Sequence, residues 1–136
     1  MSREIKFRGK DITTGEWKYG FLVKDNEYHY YIIYNMGVIE GEENNPDVIY
    51  KEVIKSSVGE FTGLYDKNNK PIYEGDIVKF VNNWLDDSEF TEPVFWDYNG
   101  WKTEHNYECE GDFVEFEKME IVGNIYENPE LLKEME

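Results

Sequence analysis

His105, Cys109 and Asp112 fall within eight positions of one another. They lie in a stretch, residues 86–120, that holds twelve acids against Lys102 and Lys118. Carboxylates beside a histidine are the raw material of metal binding and acid–base work, and a cysteine beside a histidine is that of nucleophilic catalysis. The spacing supports neither. No calcium-loop or zincin pattern occurs, so the acids read as a solvated face, and no metal or cofactor is expected. A pair made by Cys109 with His105 or His29 needs a third group to orient it, and nothing local supplies one. Gly59, Gly63 and Gly75 open no helix and precede no Lys-Ser/Thr, which excludes a phosphate loop and leaves them as turn and bulge glycines. The chain is therefore expected not to be an enzyme. The alternative of a metal-dependent hydrolase would require Asp or Glu side chains to converge on His105.

Aromatic residues form the second conspicuous set, 17% of the chain, with 11 Tyr and 8 Phe. In YHYYIIY, Tyr28, Tyr30, Ile32 and Tyr34 share one side of a strand, and His29, Tyr31 and Ile33 the other. A strand apolar on both faces is buried on both or covered by a partner. With Trp17, the residues Tyr28, Tyr30, Tyr31 and Tyr34 make the candidate interaction surface, since Tyr and Trp suit protein interfaces. Stacking on bases would be worth roughly 1–3 kcal/mol each, but such sites pair rings with cations, and this strand has none.

The net charge is −16, from 30 acids against 14 Lys plus Arg. Nonspecific nucleic-acid binding rests on cations that displace counterions from phosphate, so direct binding is not expected. The one basic stretch, Arg3, Lys6, Arg8 and Lys10 against Glu4, reads as a solvated first strand. One cysteine excludes an intramolecular disulfide and a multi-cysteine zinc site, and fits a reducing compartment. No apolar run reaches signal-peptide or membrane length. A cytoplasmic location with no membrane contact is the expectation.

Turn chemistry places the elements. Ile5 and Phe7 mark a short strand, DITTG a turn, and Trp17, Tyr19, Phe21 and Val23 one face of the next strand, giving a hairpin over residues 16–34. Residues 36–46 read as a loop, and 48–54 as either a strand or a helical turn. Phe61 to Tyr65 is a strand with a bulge at Gly63. DKNNK is a tight turn, Pro71 starts a strand, and Glu74-Gly75-Asp76 is a second corner before Ile77, Val78 and Phe80. Gly63, Pro71, Glu74, Gly75 and Asp76 are thus scaffold turns. Residues 82–92 read as a loop with a possible helical turn, Asn99-Gly100 as a hairpin, and 113–116 and 121–126 as strands. Asn128-Pro129-Glu130 starts a short helix, with Asn as its N-cap. With Leu and Ala scarce, the expected class is mainly β: a small antiparallel barrel, an N-terminal β-hairpin lobe and a short C-terminal helix. The chain is one domain, divisible into lobes 1–47 and 48–136.

Three blocks, REIKFRGKDITTGEWKYG, VGEFTGLYDKNNKPIYEGDIVKF and IVGNIYENPELL, together resemble the YopX family of phage and prophage proteins, over about two-fifths of the chain. Family members often carry Gln where Glu60 stands and Gly where Asn69 stands. The resemblance implies a mostly β fold with SH3-like barrel character around Glu74 to Phe80, and a phage or prophage origin in a bacterial host. It supplies no activity and no catalytic residues. Together with the residues, it leads to the expectation of a non-enzymatic, acidic protein-interaction module, with a host or phage protein as partner or a second copy of itself. The alternative is nucleic-acid handling, directly through an SH3-like barrel or by acidic mimicry of DNA.

Overall fold

The computed structural model describes residues 5–35, 49–98, 100–106 and 113–133. They group into two compact units, Met1–Glu60 and Phe61–Glu136. The chain is mainly β, antiparallel throughout, with one short C-terminal helix, as the sequence led us to expect.

The first unit holds β1 (Phe7–Lys10), β2 (Trp17–Lys24), β3 (Tyr30–Asn35), β4 (Ile49–Val53) and the start of β5 (Gly59–Tyr65), in the order β4-β3-β2-β1-β5. The stretch left open between strand and helical turn is thus strand β4. Asp25 decides where β3 begins. Its Oδ1 accepts the backbone N–H groups of Glu27 at 2.8 Å and His29 at 2.9 Å. That turn holds Tyr28 at a φ of 66°, so extended backbone starts only at Tyr30. Inside the sheet lie Ile32 and Val53, both buried. A Cβ on Gly9 would meet Val53 Cγ2 at 2.7 Å, so only glycine fits there. The edge strand β4 comes back toward β1: Asp11 bridges Val53, Ile12 N donates to Glu52 O at 3.0 Å, and Ile54 N donates to Lys10 O at 2.9 Å. A short 3-10 turn, Lys55–Ser57, then leads into β5. No closed barrel is assigned among the described strands.

The second unit takes the rest of β5, β6 (Pro71–Tyr73), β7 (Asp76–Asn82), β8 (Ser88–Pro93), β9 (Phe95–Asp97), β10 (Gly100–Lys102), β11 (Glu120–Asn124) and α1 (Glu130–Lys133). β7 is the middle of the sheet β11-β7-β8. Its Val78 and Phe80 meet Ile72, Val94, Val114, Phe116 and Met119 in the core. The corners appear where turn chemistry put them. The β5–β6 register shifts between Phe61 and Tyr65, and Gly63 there has a φ of 84°. Gly75 turns at 91°, with its N–H on Val94 O and its carbonyl accepting Ile125 N. Asn69 also adopts a left-handed φ, 61°, in the 66–70 turn.

Three segments differ from their sequence reading. The expected loop 82–92 contains β8, which pairs with β7 so that Phe80 faces Phe90; its polar sequence hid it because Glu92 is a buried strand residue. The segment 113–116 is not a strand: Phe116–Lys118 make a 3-10 turn. Asn128 does not cap α1 with its side chain, which instead accepts Asn124 N at 3.2 Å.

Asp66 ties the second unit together. Its Oδ1 accepts Asn68 N at 2.8 Å and Lys70 N at 2.9 Å, and its Oδ2 accepts Ile121 N at 3.0 Å. Burial pushes this carboxyl up, but the N–H groups of Ile121, Lys70 and Asn68 outweigh it and leave it below 3.8. A carboxyl lowered in the native state stabilises the fold above its unfolded value, and that contribution fades as pH falls through the lower folded value. Asp66→Ala leaves three partly buried N–H groups without their acceptor and should lower unfolding free energy in urea by roughly 2–3 kcal/mol. The exposed Glu74→Ala should stay within about 0.5 kcal/mol.

Candidate functional site

The strand register of the first unit sorts its side chains onto two faces. Arg8 lies opposite Tyr19, Phe21 opposite Ile33, Val23 opposite Tyr31, and Ile33 opposite Tyr50. With the period of two, one face collects Trp17, Tyr19, Phe21, Val23, Tyr31, Ile33 and Tyr50. This is the face turned to solvent: Tyr19 is 44% exposed, Phe21 54%, Val23 43% and Tyr50 59%. Tyr31 and Tyr50 meet edge to face, 5.8 Å between centroids. Trp17 is half-buried beneath Arg8, 4.9 Å from its ring centroid, and Lys10, at 5.7 Å. The alternation of β2 marked this face in the sequence. Its direction was hidden because the opposite face, with Leu22, Ile32 and Val53, is apolar too.

The five aromatics singled out from sequence divide between the two sides. Trp17 and Tyr31 belong to the solvent-facing set. Tyr30 and Tyr34 share the parity of buried Ile32, and Tyr28 stands in the turn, largely exposed. Cations from neighbouring elements cover these rings: Lys24 Nζ lies 4.8 Å from Tyr28, Lys55 Nζ 5.7 Å from Tyr30, and Lys18 Nζ 5.1 Å from Tyr34. The strand carries no cation of its own, but its neighbours supply them.

Beside this face sits a charged network. Asp25 Oδ2 lies 3.0 Å from His29 Nδ1 and accepts the Tyr31 hydroxyl at 3.3 Å. The His29 backbone N–H, first, and the other bonds hold Asp25 below its usual range. The bond to Asp25 raises His29 above 6.5. Burial, then the Asp25 charge, pushes Tyr31 above 10.

In the second unit the scaffold turns do structural work. Tyr73 N donates to Asp76 Oδ2 at 2.8 Å, Pro71 opens β6 opposite Tyr65, and Glu74 is exposed at the corner tip. Acids do converge on His105: Glu92, Glu104 and His105 each offer a ligand atom within 4.8 Å of the others. Buried Glu92 binds both ends of His105, accepting its backbone N–H at 2.8 Å and lying 2.8 Å from Nδ1. The imidazole also stacks on Phe90 at 4.6 Å. The Glu92–His105 bonds staple β8 to the 103–106 turn. Cys109 and Asp112 lie outside the described residues.

These features define an antiparallel β protein with an aromatic, solvent-facing sheet in its first unit. The YopX protein family model matches residues 6–133, and the chain belongs to that family. No curated protein matches it. Among solved structures it is similar to the crystal structure of protein EF1440 from Enterococcus faecalis, with 23% identity over 96% of this chain and 99% of that one, and a TM-score of 0.65. That likeness shows the fold. Among the described residues, no helix is long and apolar enough to cross a membrane.

A raised His29 means that the native state holds this proton more tightly. The stabilisation is complete below 6.5 and is lost as pH rises through the folded value. An NMR titration should place the His29 midpoint above 6.5, and Asp25→Asn should return it toward 6.5. A wild-type midpoint at or below 6.5 would show that the contact does not persist in solution.

Proposed function

We propose that the protein is a non-enzymatic interaction module that docks a protein partner, phage or host, on the aromatic face of its first unit inside a bacterial cell. The carrying observation is that Tyr19, Phe21 and Val23 on β2 and Tyr50 on β4, the strands either side of β3, all stand between 43% and 59% exposed on one face. A contiguous apolar patch of this kind, edged by polar groups, marks interaction surfaces more than isolated exposed residues do. Tyr and Phe anchors also lose little conformational freedom on binding. The order β5-β1-β2-β3-β4, with a 3-10 turn between β4 and β5, supports an SH3-like reading of this unit, where the family resemblance had implied that character around Glu74 to Phe80.

Charge supports the same placement. Residues 61–136 hold nineteen acids against six lysines, and residues 1–60 eleven against eight Lys and Arg. The strongly acidic balance therefore belongs to the second unit. The first carries its apolar patch on a unit whose charges nearly balance.

The test is capture from host lysate with wild type and with the pair Phe21→Asp and Tyr50→Asp, alongside sedimentation of the purified proteins. The pair should lose the captured partner, or the self-association, while its circular dichroism stays unchanged. Retention of every partner by the folded double variant, or turnover of a substrate by protein that captures none, overturns the reading.

A second reading, contact with single-stranded nucleic acid, is favoured by the lysines lying over Tyr28, Tyr30 and Tyr34. It predicts that labelled oligothymidylate binds at about 50 mM salt and is released as salt rises. No anisotropy change at low salt ends it.

A further inference from the structure

Four carboxylates are buried among the described residues: Asp11, Asp66, Asp76 and Glu92. The aspartates spend oxygens on backbone N–H groups of turns and strand starts. Glu92, 4% exposed, divides its two oxygens differently. Its Oε2 accepts the His105 backbone N–H, and its Oε1 lies 2.8 Å from His105 Nδ1. A buried carboxylate is costly unless a charge or a metal ion faces it. Among the described residues the ion-pair partner of Glu92 is His105, and an imidazole carries charge only when protonated. At neutral pH the pair therefore has room for a cation in place of a proton.

The groups around this pair are held in position. β8 fixes Glu92 through its pairing with β7. Asn82 Nδ2 donates to His105 O at 2.9 Å, and Thr103 N donates to Asn106 Oδ1 at 3.4 Å, which together set the 103–106 turn. The imidazole lies flat on Phe90, 4.6 Å between centroids and 9° between planes. That leaves Glu104, which is exposed and whose carboxylate already stands within 4.8 Å of the other two ligand atoms. Two ligand atoms that each sit about 2.1 Å from one ion, at right angles, lie about 3 Å apart. The 2.8 Å contact between Glu92 and His105 is close to such a coordination edge.

We propose that Glu92, Glu104 and His105 bind a divalent transition-metal ion of the zinc class. The ion takes the place of the proton between Glu92 Oε1 and His105 Nδ1, while Oε2 keeps its hold on the His105 N–H. The exposed Glu104 side chain closes in as the third ligand, and water completes the shell. One imidazole nitrogen with two carboxylate oxygens suits zinc better than calcium or magnesium, which favour oxygen alone. Two carboxylates also balance the charge of the ion. The acidic surroundings favour its approach, since residues 61–136 hold nineteen acids against six lysines. The trio shares no residue with the aromatic face of the first unit, so this proposal and the docking proposal fail independently.

The test is calorimetric titration of the whole chain with Zn²⁺ in a buffer that does not chelate it, with thermal melts beside it. The wild type should bind one ion in the micromolar range and melt at a higher temperature with zinc than without. Glu104→Gln removes an exposed charge, so the metal-free melt should stay as in the wild type while affinity falls by about tenfold or more. Glu92→Gln keeps groups able to hydrogen-bond His105 but removes the carboxylate, and His105→Gln removes the imidazole; each should also abolish the zinc-dependent rise in melting temperature. Should either of these fail to fold, Glu104→Gln decides the matter. An acid-rich surface that collects cations without a site would leave affinity unchanged in these variants. Wild-type affinity in any folded variant of the three, or no saturable binding below about 100 µM, overturns the proposal.

Discussion

Water scarcely reaches the Asp66 carboxylate, so its charge is held by backbone N–H groups from the 66–70 turn and from the first residues of β11. A buried charge without such partners would cost several kcal/mol, so the turn and the strand must stay where they are for the acid to remain ionised. Thr62 does the same a few residues earlier, donating to Ile72 O at 2.8 Å and accepting Leu64 N at 3.0 Å. These two side chains fix the bulged β5–β6 hairpin. With it they fix the placement of Ile72 in the core. The most patterned stretch of the sequence is therefore a frame on which other elements hang, and its polar residues are spent on backbone groups.

Much of the fold was legible because turn chemistry is local. The bulge at Gly63, the strand start at Pro71 and the left-handed Gly75 follow from what those residues permit. What could not be read was long-range. β8 looks like a polar loop because two of its acids, Glu89 and Glu92, read as solvated, yet Glu92 is buried against His105. No local signal predicts that bond, which spans 13 positions. The residues 113–116 alternate as a strand should, but the chain there tightens into a 3-10 turn that sends Phe116 into the core.

The candidate surfaces were partly legible for the same reason. Alternation in β2 placed Trp17, Tyr19, Phe21 and Val23 together, while the choice of face depended on the β2–β3–β4 register, which sets Ile32 and Val53 on the inner side. Tyr50 joined the patch only through the register of β4. Tyr28 left the strand because an aspartate three residues earlier captured the turn.

The tryptophan beneath Arg8 and Lys10 has one more consequence. Trp17 is the sole tryptophan of residues 1–60, while Trp84, Trp96 and Trp101 belong to residues 61–136. The two units therefore carry separable optical labels. With Trp84, Trp96 and Trp101 replaced by phenylalanine, the remaining emission reports the melting of the cation-covered sheet alone, and full-chain circular dichroism reports the rest. Whether the units melt together or in turn becomes a matter of comparing two curves.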